Sequence, residues 1–251
     1  MPHRLVVRAC ALLMLGLAAS AGTRANGIEL NALTNEWPPY NYQEQGQIKG
    51  IATDILRAAC QEAALRCNVQ MLPWARAYNT ALTQANTLVF TTARRPEREA
   101  LFSWIGPILP RSTWVWARHD AVKRTQGSKT LADYRFGVVR GEASIPDLQA
   151  AGVPAQQITA DNSNVAVLKL LSRGWVDAMV DTEIGMAWSI KTELTSPIEF
   201  TKLAKLSDQG AYYFALNPQS EPLMAEKLQA AVDKLRRSGA IDEIVKRYTA
   251  R

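Results

Sequence analysis

Histidine, cysteine and long apolar runs are all scarce in this chain of 251 residues. Beyond position 25 only His119, Cys60 and Cys67 remain of the soft metal ligands. Two thiols and one imidazole make a poor zinc set, so no metal is expected. No Ser-His-Asp set and no glycine-rich nucleotide loop stands in the sequence, and no cofactor is expected. No apolar stretch reaches the roughly 20 residues that a membrane helix needs. Repeats and low-complexity tracts are also absent, which leaves a globular chain with an ordinary apolar share of 47%.

The first 25 residues read as a secretory signal peptide. Arg4 and Arg8 give a positive start, Ala9 to Ala19 is an eleven-residue apolar run, and Ala19-Ser20-Ala21 or Thr23-Arg24-Ala25 offers a small-residue cleavage site. Cys10 lies within that run and not after it, so no lipid anchor is expected. The expectation is an exported, soluble protein. Removing the segment takes away three arginines and no acid, so 29 − 3 = 26 basic residues face 23 acidic ones and the net charge falls from +6 to +3. The remaining positives are dispersed and accompany no nucleic-acid motif, so no nucleic-acid partner is expected. An even pair of cysteines in an exported chain, Cys60 and Cys67, favours a disulfide over a metal site.

Residues 28–34 alternate as a strand, and "GIATDILRAACQEAAL" carries Ile51, Ile55, Ala58, Ala59 and Ala63 at helical spacing, with Thr53 or Asp54 placed to cap its first turn. "CNVQMLP" reads as a strand, "ARAYNTALTQ" as a short helix and "TLVFTTA" as a strand, the order of an α/β unit with a largely parallel sheet. A further strand, 112–118, precedes a polar basic stretch, 119–130, where the composition shifts and near which the chain is expected to cross into a second unit. That unit begins with the strand "YRFGVVRG" and the helix "SIPDLQAAG". Next come a helix with Val165, Leu168 and Leu171 inward and Gly174 as its stop, then a strand and helix over "WVDAMVDTEIGMAWSIK". Residues 209–217 form a strand that carries the chain back. The end is helical: Pro222 opens one helix with Leu228, Ala231, Val232 and Leu235 inward, and beyond Gly239 a last helix carries Ile241, Ile244, Val245 and Tyr248.

Two α/β units joined by two crossings enclose a cleft, and ligands of such sheets bind outside the carboxyl ends of the strands. The positions just after predicted strands are Trp37, Trp74, residues 91–98, residues 140–144 and Asp181. They match the needs of a small zwitterion in a closing cleft. Its carboxylate wants a bidentate guanidinium and hydroxyl or backbone donors, here Arg98 with Arg94, Thr91 and Thr92. Its ammonium wants an acid, here Asp181. Its side chain wants an aromatic wall, here Trp37 and Trp74. The turn Gly141-Glu142-Ala143-Ser144 ahead of a helix adds backbone N–H groups.

The motifs at these positions resemble those of the bacterial extracellular solute-binding protein family 3, the polar amino-acid-binding proteins of ABC importers. "WPPYNYQEQGQIKGIATDIL" resembles the family's opening aromatic-Pro block and helix start, and "RRPEREALFSWIGPI" its Thr-Pro-Glu-Arg segment leading to Phe-Ser. "LADYRFGVVRGEAS" and "LLSRGWVDAMVDTE" resemble its second-unit strand and turn and its Val-Asp-Ala run. The resemblance covers residues 27–249. It implies a two-lobed periplasmic-binding-protein-like α/β fold, each lobe a mostly parallel sheet flanked by helices and joined by two crossing strands. Lobe 1 is then 26–113 with 212–251, and lobe 2 is 114–211. It also implies a carboxylate clamp at Arg98, an ammonium-binding acid at Asp181 and stacking aromatics at Trp37 and Trp74. The Cys60–Cys67 spacing matches a disulfide of some members. Two departures stand out. Thr91-Thr92-Ala93 replaces a Ser-x-Ser or Ser-x-Thr ahead of a shortened arginine loop, so that Arg94 is placed to share the clamp. Gly141-Glu142-Ala143-Ser144 replaces a Gly-Thr turn.

The function implied is capture, in the periplasm, of a polar or aromatic amino acid by a monomeric, non-enzymatic binding protein that delivers it to an inner-membrane ABC permease. An exported enzyme resembling the cyclohexadienyl dehydratases, resting on Glu142 and Asp181, is the alternative, and a sensory ligand carrier a third. Among the remaining candidates Arg95 reads as solvated, Asp177 as a turn or surface residue, and Trp104, Trp114, Trp116, Trp175 and Trp188 as packing.

Overall fold

The computed structural model describes residues 29–249 other than 127, 129, 195, 196 and 209, so the signal peptide expected at 1–25 lies outside the described residues. The chain runs β1 (Glu29–Thr34), a hairpin of β2 (Tyr42–Glu44) and β3 (Gln47–Lys49), α1 (Ile51–Glu62), β4 (Arg66–Met71), α2 (Trp74–Thr83), β5 (Thr87–Ala93) and β6 (Ser103–Pro110). It continues through β7 (Thr113–Arg118), α3 (His119–Arg124), β8 (Phe136–Val139), α4 (Ser144–Ala150), β9 (Ile158–Asp161), α5 (Asn164–Ser172), β10 (Ala178–Asp181), α6 (Glu183–Thr192) and β11 (Phe200–Ser207). It closes with β12 (Ala211–Leu216), α7 (Pro222–Arg237) and α8 (Ala240–Thr249).

Two five-stranded sheets result, in the orders β4-β1-β5-β12-β6 and β11-β7-β10-β8-β9. In the first, β4, β1 and β5 are parallel while β12 runs against both β5 and β6, so four strands share one direction. In the second, β10, β8 and β9 are parallel and β7 runs against both β10 and β11, giving the same count. The chain leaves the first sheet at Pro110 and enters the second at Thr113, then returns between Ser207 and Ala211. The basic stretch 119–130 therefore lies inside the second lobe, where it opens as α3.

The helices bury the faces that their sequence periods mark. Ile51, Ile55 and Ala59 of α1 and Leu228, Ala231 and Val232 of α7 meet β1, β5 and β12 residues in one core. Tyr134, Phe136, Val138 and Leu148 organise another in the second lobe. A third cluster runs from Leu33, Trp74 and Ala77 of the first lobe to Val139, Val167 and Leu168 of the second, so apolar packing is continuous between the lobes. Cys60 and Cys67 form a disulfide that ties α1 to β4, with Cα atoms 6.2 Å apart.

Several local expectations are corrected. Gly50, at φ 126°, is the N-cap of α1, so Thr53 and Asp54 lie inside the helix. Thr53 instead donates to Asn41, and Asp54 accepts from Tyr248. Val167 and not Val165 is the buried valine of α5. Asp177 is buried beneath Arg124 and Arg135, because the strand β10 that it precedes starts within the core. Trp175 is 61% exposed and so is no packing residue. Arg95 is not solvated but pairs with Asp147 and Glu97.

Candidate functional site

The carboxyl ends of β1, β5, β8 and β10 converge on a cavity of about 50 Å³ between the lobes. That volume holds a few waters at about 10–15 Å³ each.

Arg98 reaches it from a 3₁₀ turn, Pro96–Leu101, that follows β5. Pro96 opens the turn, where its missing N–H costs nothing. The neighbours of Arg98 face outward and consume the local acids: Arg94 pairs with Glu99, and Arg95 with Glu97. Arg98 is thereby left without a carboxylate, although it is only 9% exposed. Its guanidinium lies over the Tyr78 ring at 5.1 Å and its Nη2 donates to the Gly141 carbonyl at 3.1 Å. Burial pushes its pKa down, against the Tyr78 and Glu97 charges. Its Nη1 has no partner among the described residues.

Asp181 closes β10 in the opposite lobe, 2% exposed. Its Oδ1 accepts from Trp37 Nε1 at 3.0 Å and from the Thr182 backbone N–H at 2.7 Å. Its Oδ2 has no partner among the described residues. Thr182 caps α6 by accepting from Gly185 N at 2.9 Å, and a Cβ on Gly185 would overlap the Asp181 carboxylate, with Cγ only 2.9 Å away. Burial pushes the Asp181 carboxyl up to about 7 despite these hydrogen bonds. Glu142 also lines the cavity, at 3.5 Å from the Asn35 amide, and burial together with the Asp181 charge pushes it up to about 8.

Of the remaining candidates, Trp37, Trp74, Thr91 and Ser144 line the cavity with Arg98, Asp181 and Glu142. Trp37 packs against Tyr40 and edge-on against Tyr212, and Trp74 donates to the Gly141 carbonyl at 3.0 Å. Gly141 thus acts through an acceptor. Thr91, at φ 60°, exchanges hydrogen bonds with Asn41, whereas the Ser144 hydroxyl is unpartnered. Thr92 and Arg94 lie away from the cavity. Strand alternation turns Thr92 to the other face of β5, where it donates to the Val89 carbonyl, and Arg94 stacks outside on Trp104 and Tyr213.

Five lining residues with polar side chains escaped the sequence reading: Asn35, Arg111, Thr113, Asn164 and Tyr212. Asn35 follows β1 directly, so the strand-end rule was signal enough. Arg111 and Thr113 sit in the crossing, where a charge between Pro110 and a strand was the cue. Asn164 and Tyr212 carry no local mark. Thr113 Oγ1 and Asn164 Oδ1 join the unpartnered buried atoms, while Arg111 is held by Asp147 and by Ser207 at 2.6 Å.

Contacts across the cleft keep the lobes together. Besides Trp37–Asp181 and Trp74–Gly141, Tyr40 donates to Thr182 at 3.0 Å and Tyr42 meets the Trp188 ring at 5.3 Å. Asp147 of α4 takes both Arg95 and Arg111. Among the described residues no cluster of His, Cys, Asp and Glu is placed to hold a metal, and no helix is long and apolar enough to cross a membrane.

The model of the bacterial extracellular solute-binding proteins, family 3, matches residues 31–251. No curated protein sequence matches the chain. Among solved structures, a Salmonella typhimurium periplasmic binding protein of high arginine specificity is 18% identical with a TM-score of 0.73, over 87% of this chain and 98% of its own. The arginine-, lysine-, histidine-binding protein of Geobacillus stearothermophilus is 16% identical with a TM-score of 0.75, over 89% and 96%. A histidine kinase sensor domain with similarity to periplasmic binding proteins is 15% identical with a TM-score of 0.75, over 90% and 97%. At these identities the likeness is one of fold: a mixed α/β, two-lobed architecture.

Proposed function

The chain belongs to the bacterial extracellular solute-binding proteins, family 3, and from that premise we propose that it captures a small zwitterion, a polar or aromatic amino acid, in the periplasm for an inner-membrane ABC permease. One observation carries the reading. Arg98 Nη1 and Asp181 Oδ2, on opposite lobes, are both buried and without a partner among the described residues, and their side chains line one cavity. A carboxylate on the first and an ammonium on the second would satisfy both, and one molecule gripped at its two poles would lock a closed arrangement that the ligand-free protein already samples. Ser144, Thr113 and Asn164 supply further polar contacts, and Trp74 a wall. Residues 26–113 with 212–251 then move as one lobe and 114–211 as the other, as in hinge closure around a ligand.

The test is a thermal-shift and calorimetric screen of the protein lacking residues 1–25 against amino acids, opines and polyamines. Arginine, lysine and histidine come first, because structural neighbours bind them. The expected outcome is a raised Tm with one or a few compounds, since ligand at 100 times its Kd adds about 2.7 kcal/mol. A flat response across the panel sinks the reading.

The Glu142–Asp181 pair favours one second reading, an exported enzyme resembling the cyclohexadienyl dehydratases. Two carboxyls raised toward neutrality in one cavity are an acid–base pair in form. Conversion of prephenate to phenylpyruvate by the purified protein would establish it.

A further inference from the structure

We propose that Trp37 is a positioning residue for Asp181, fixing by its indole N–H which carboxylate oxygen faces the cavity, and that it does so only when the lobes are closed. The inference deepens the reading above and rests on Asp181 being the acid that meets a ligand's cation.

The seat of Asp181 is built from both lobes. From its own lobe come the Thr182 N–H on Oδ1, the Trp116 indole N–H on the Asp181 carbonyl at 3.2 Å, and the space left by Gly185. From the other lobe, among the described residues, comes only the Trp37 N–H, also on Oδ1, at 3.0 Å. Two donors on one oxygen leave Oδ2 as the single face toward the cavity. Trp37 itself is 8% exposed, with its ring set against Tyr40 at 4.5 Å and Tyr212 at 5.4 Å. The indole is thereby clamped on its own lobe, and its N–H is aimed before the other lobe arrives.

The consequence is a coupling of closure to protonation. Closure buries Asp181, and burial favours the neutral acid; a hydrogen bond donated to the anion opposes that. Of the ionisable groups around Asp181, Glu142, Tyr40 and Tyr212 disfavour its anion, while the Arg98 and Arg111 guanidiniums that line the same cavity favour it from a distance without a hydrogen bond to it. The Trp37 and Thr182 N–H groups are what hold its carboxyl down. Of the two, only that of Trp37 is made and broken with the cleft.

Carboxyl ¹³C NMR titration of ligand-free protein tests this, with D181N assigning the Asp181 resonance and W37F keeping a ring while removing the N–H. The expected result is an Asp181 midpoint about one pH unit higher in W37F than in wild type. A midpoint unmoved within about 0.2 unit overturns the proposal and returns Trp37 to a plain wall. Should W37F fold poorly, the wild-type Trp37 indole proton serves. Its shift is expected to follow the Asp181 titration and to lose that step in D181N, and an indole resonance indifferent to both is the overturning outcome. No ligand is used, so this test fails or succeeds apart from the binding screen.

Discussion

Arg98 and Asp181 line one cavity from opposite lobes, each with one buried polar atom that no described group satisfies, Nη1 of the arginine and Oδ2 of the acid. The acids nearest Arg98 in sequence, Glu97 and Glu99, are taken by Arg95 and Arg94. The guanidinium is thus held in a desolvated place without a counter-ion, an arrangement that costs stability unless a ligand anion completes it. R98A is therefore expected to lower affinity for whichever compound the screen finds by at least about 100-fold, near 3 kcal/mol. The ligand-free Tm should hold or rise. Calorimetry and a melting curve read the two effects separately. A fall in Tm with affinity intact would make Arg98 a structural residue.

Stability should depend on pH in a direction set by Asp181 and Glu142. Their carboxyls are raised to about 7 and about 8 in the folded protein, while unfolded Asp and Glu titrate near about 4. Between pH 4 and 8 the folded state therefore binds more protons than the unfolded, and stability falls as pH rises through that window. Each group adds at most about 1.4 kcal/mol per pH unit. Below pH 4 both states are protonated, and above 8 both are ionised. The D181N/E142Q double variant should be less pH-dependent than wild type in urea melts across this range. Identical slopes would show that these acids do not titrate abnormally.

Much of this arrangement was legible in residues 29–249, and what was missed has a pattern. The interior strands β1, β5, β8, β10 and β12 were read from their apolar runs, and with them the strand-end positions Trp37, Arg98, Glu142 and Asp181. The unread strands β6, β9 and β11 are edges of the two large sheets, and the equally unread β2 and β3 make a two-stranded sheet that is all edge. An edge strand buries little of itself: β11 has no fully buried residue. Gly106 and Pro107 are tolerated in β6 because an edge needs no complete ladder. The lining residues that were missed depend on long-range packing. Tyr212 sits within β12 and reaches the cavity only because β12 lies between β5 and β6, an order that local sequence does not encode. Thr92 and Arg94 were placed with Arg98 by proximity in the chain, but strand alternation and the outward pairing with Glu99 take them elsewhere.

Gly185 offers a test of the acid's seat that leaves every polar partner in place. A methyl group there would overlap Asp181 Oδ1. α6 itself should accept alanine, the better helix former. G185A is expected to retain helix content by circular dichroism while losing affinity by more than about tenfold, since the carboxylate must swing off the Thr182 and Trp37 donors. Unchanged affinity would mean that the acid has room the geometry does not show.

Asp147 lies on α4 of the second lobe and takes guanidiniums from two places on the first, Arg95 before the 3₁₀ turn and Arg111 in the crossing. Both pairs are partly buried, with Arg111 8% and Asp147 13% exposed in their side chains. On the proposed hinge closure they form as the cleft shuts. The acid therefore weights the closed state without touching a ligand through a free atom. With D147N the two first-lobe arginines lose the counter-charge that the second lobe brings to them, and closure gains less. Because apparent affinity scales with the competent population, every ligand should weaken by the same factor, leaving selectivity unchanged. Small-angle scattering should show a larger ligand-free radius of gyration for D147N and convergence with wild type at saturation. If one ligand weakened and another did not, Asp147 would be reading the ligand and not the lobes, and the latch would be the wrong description of its two ion pairs.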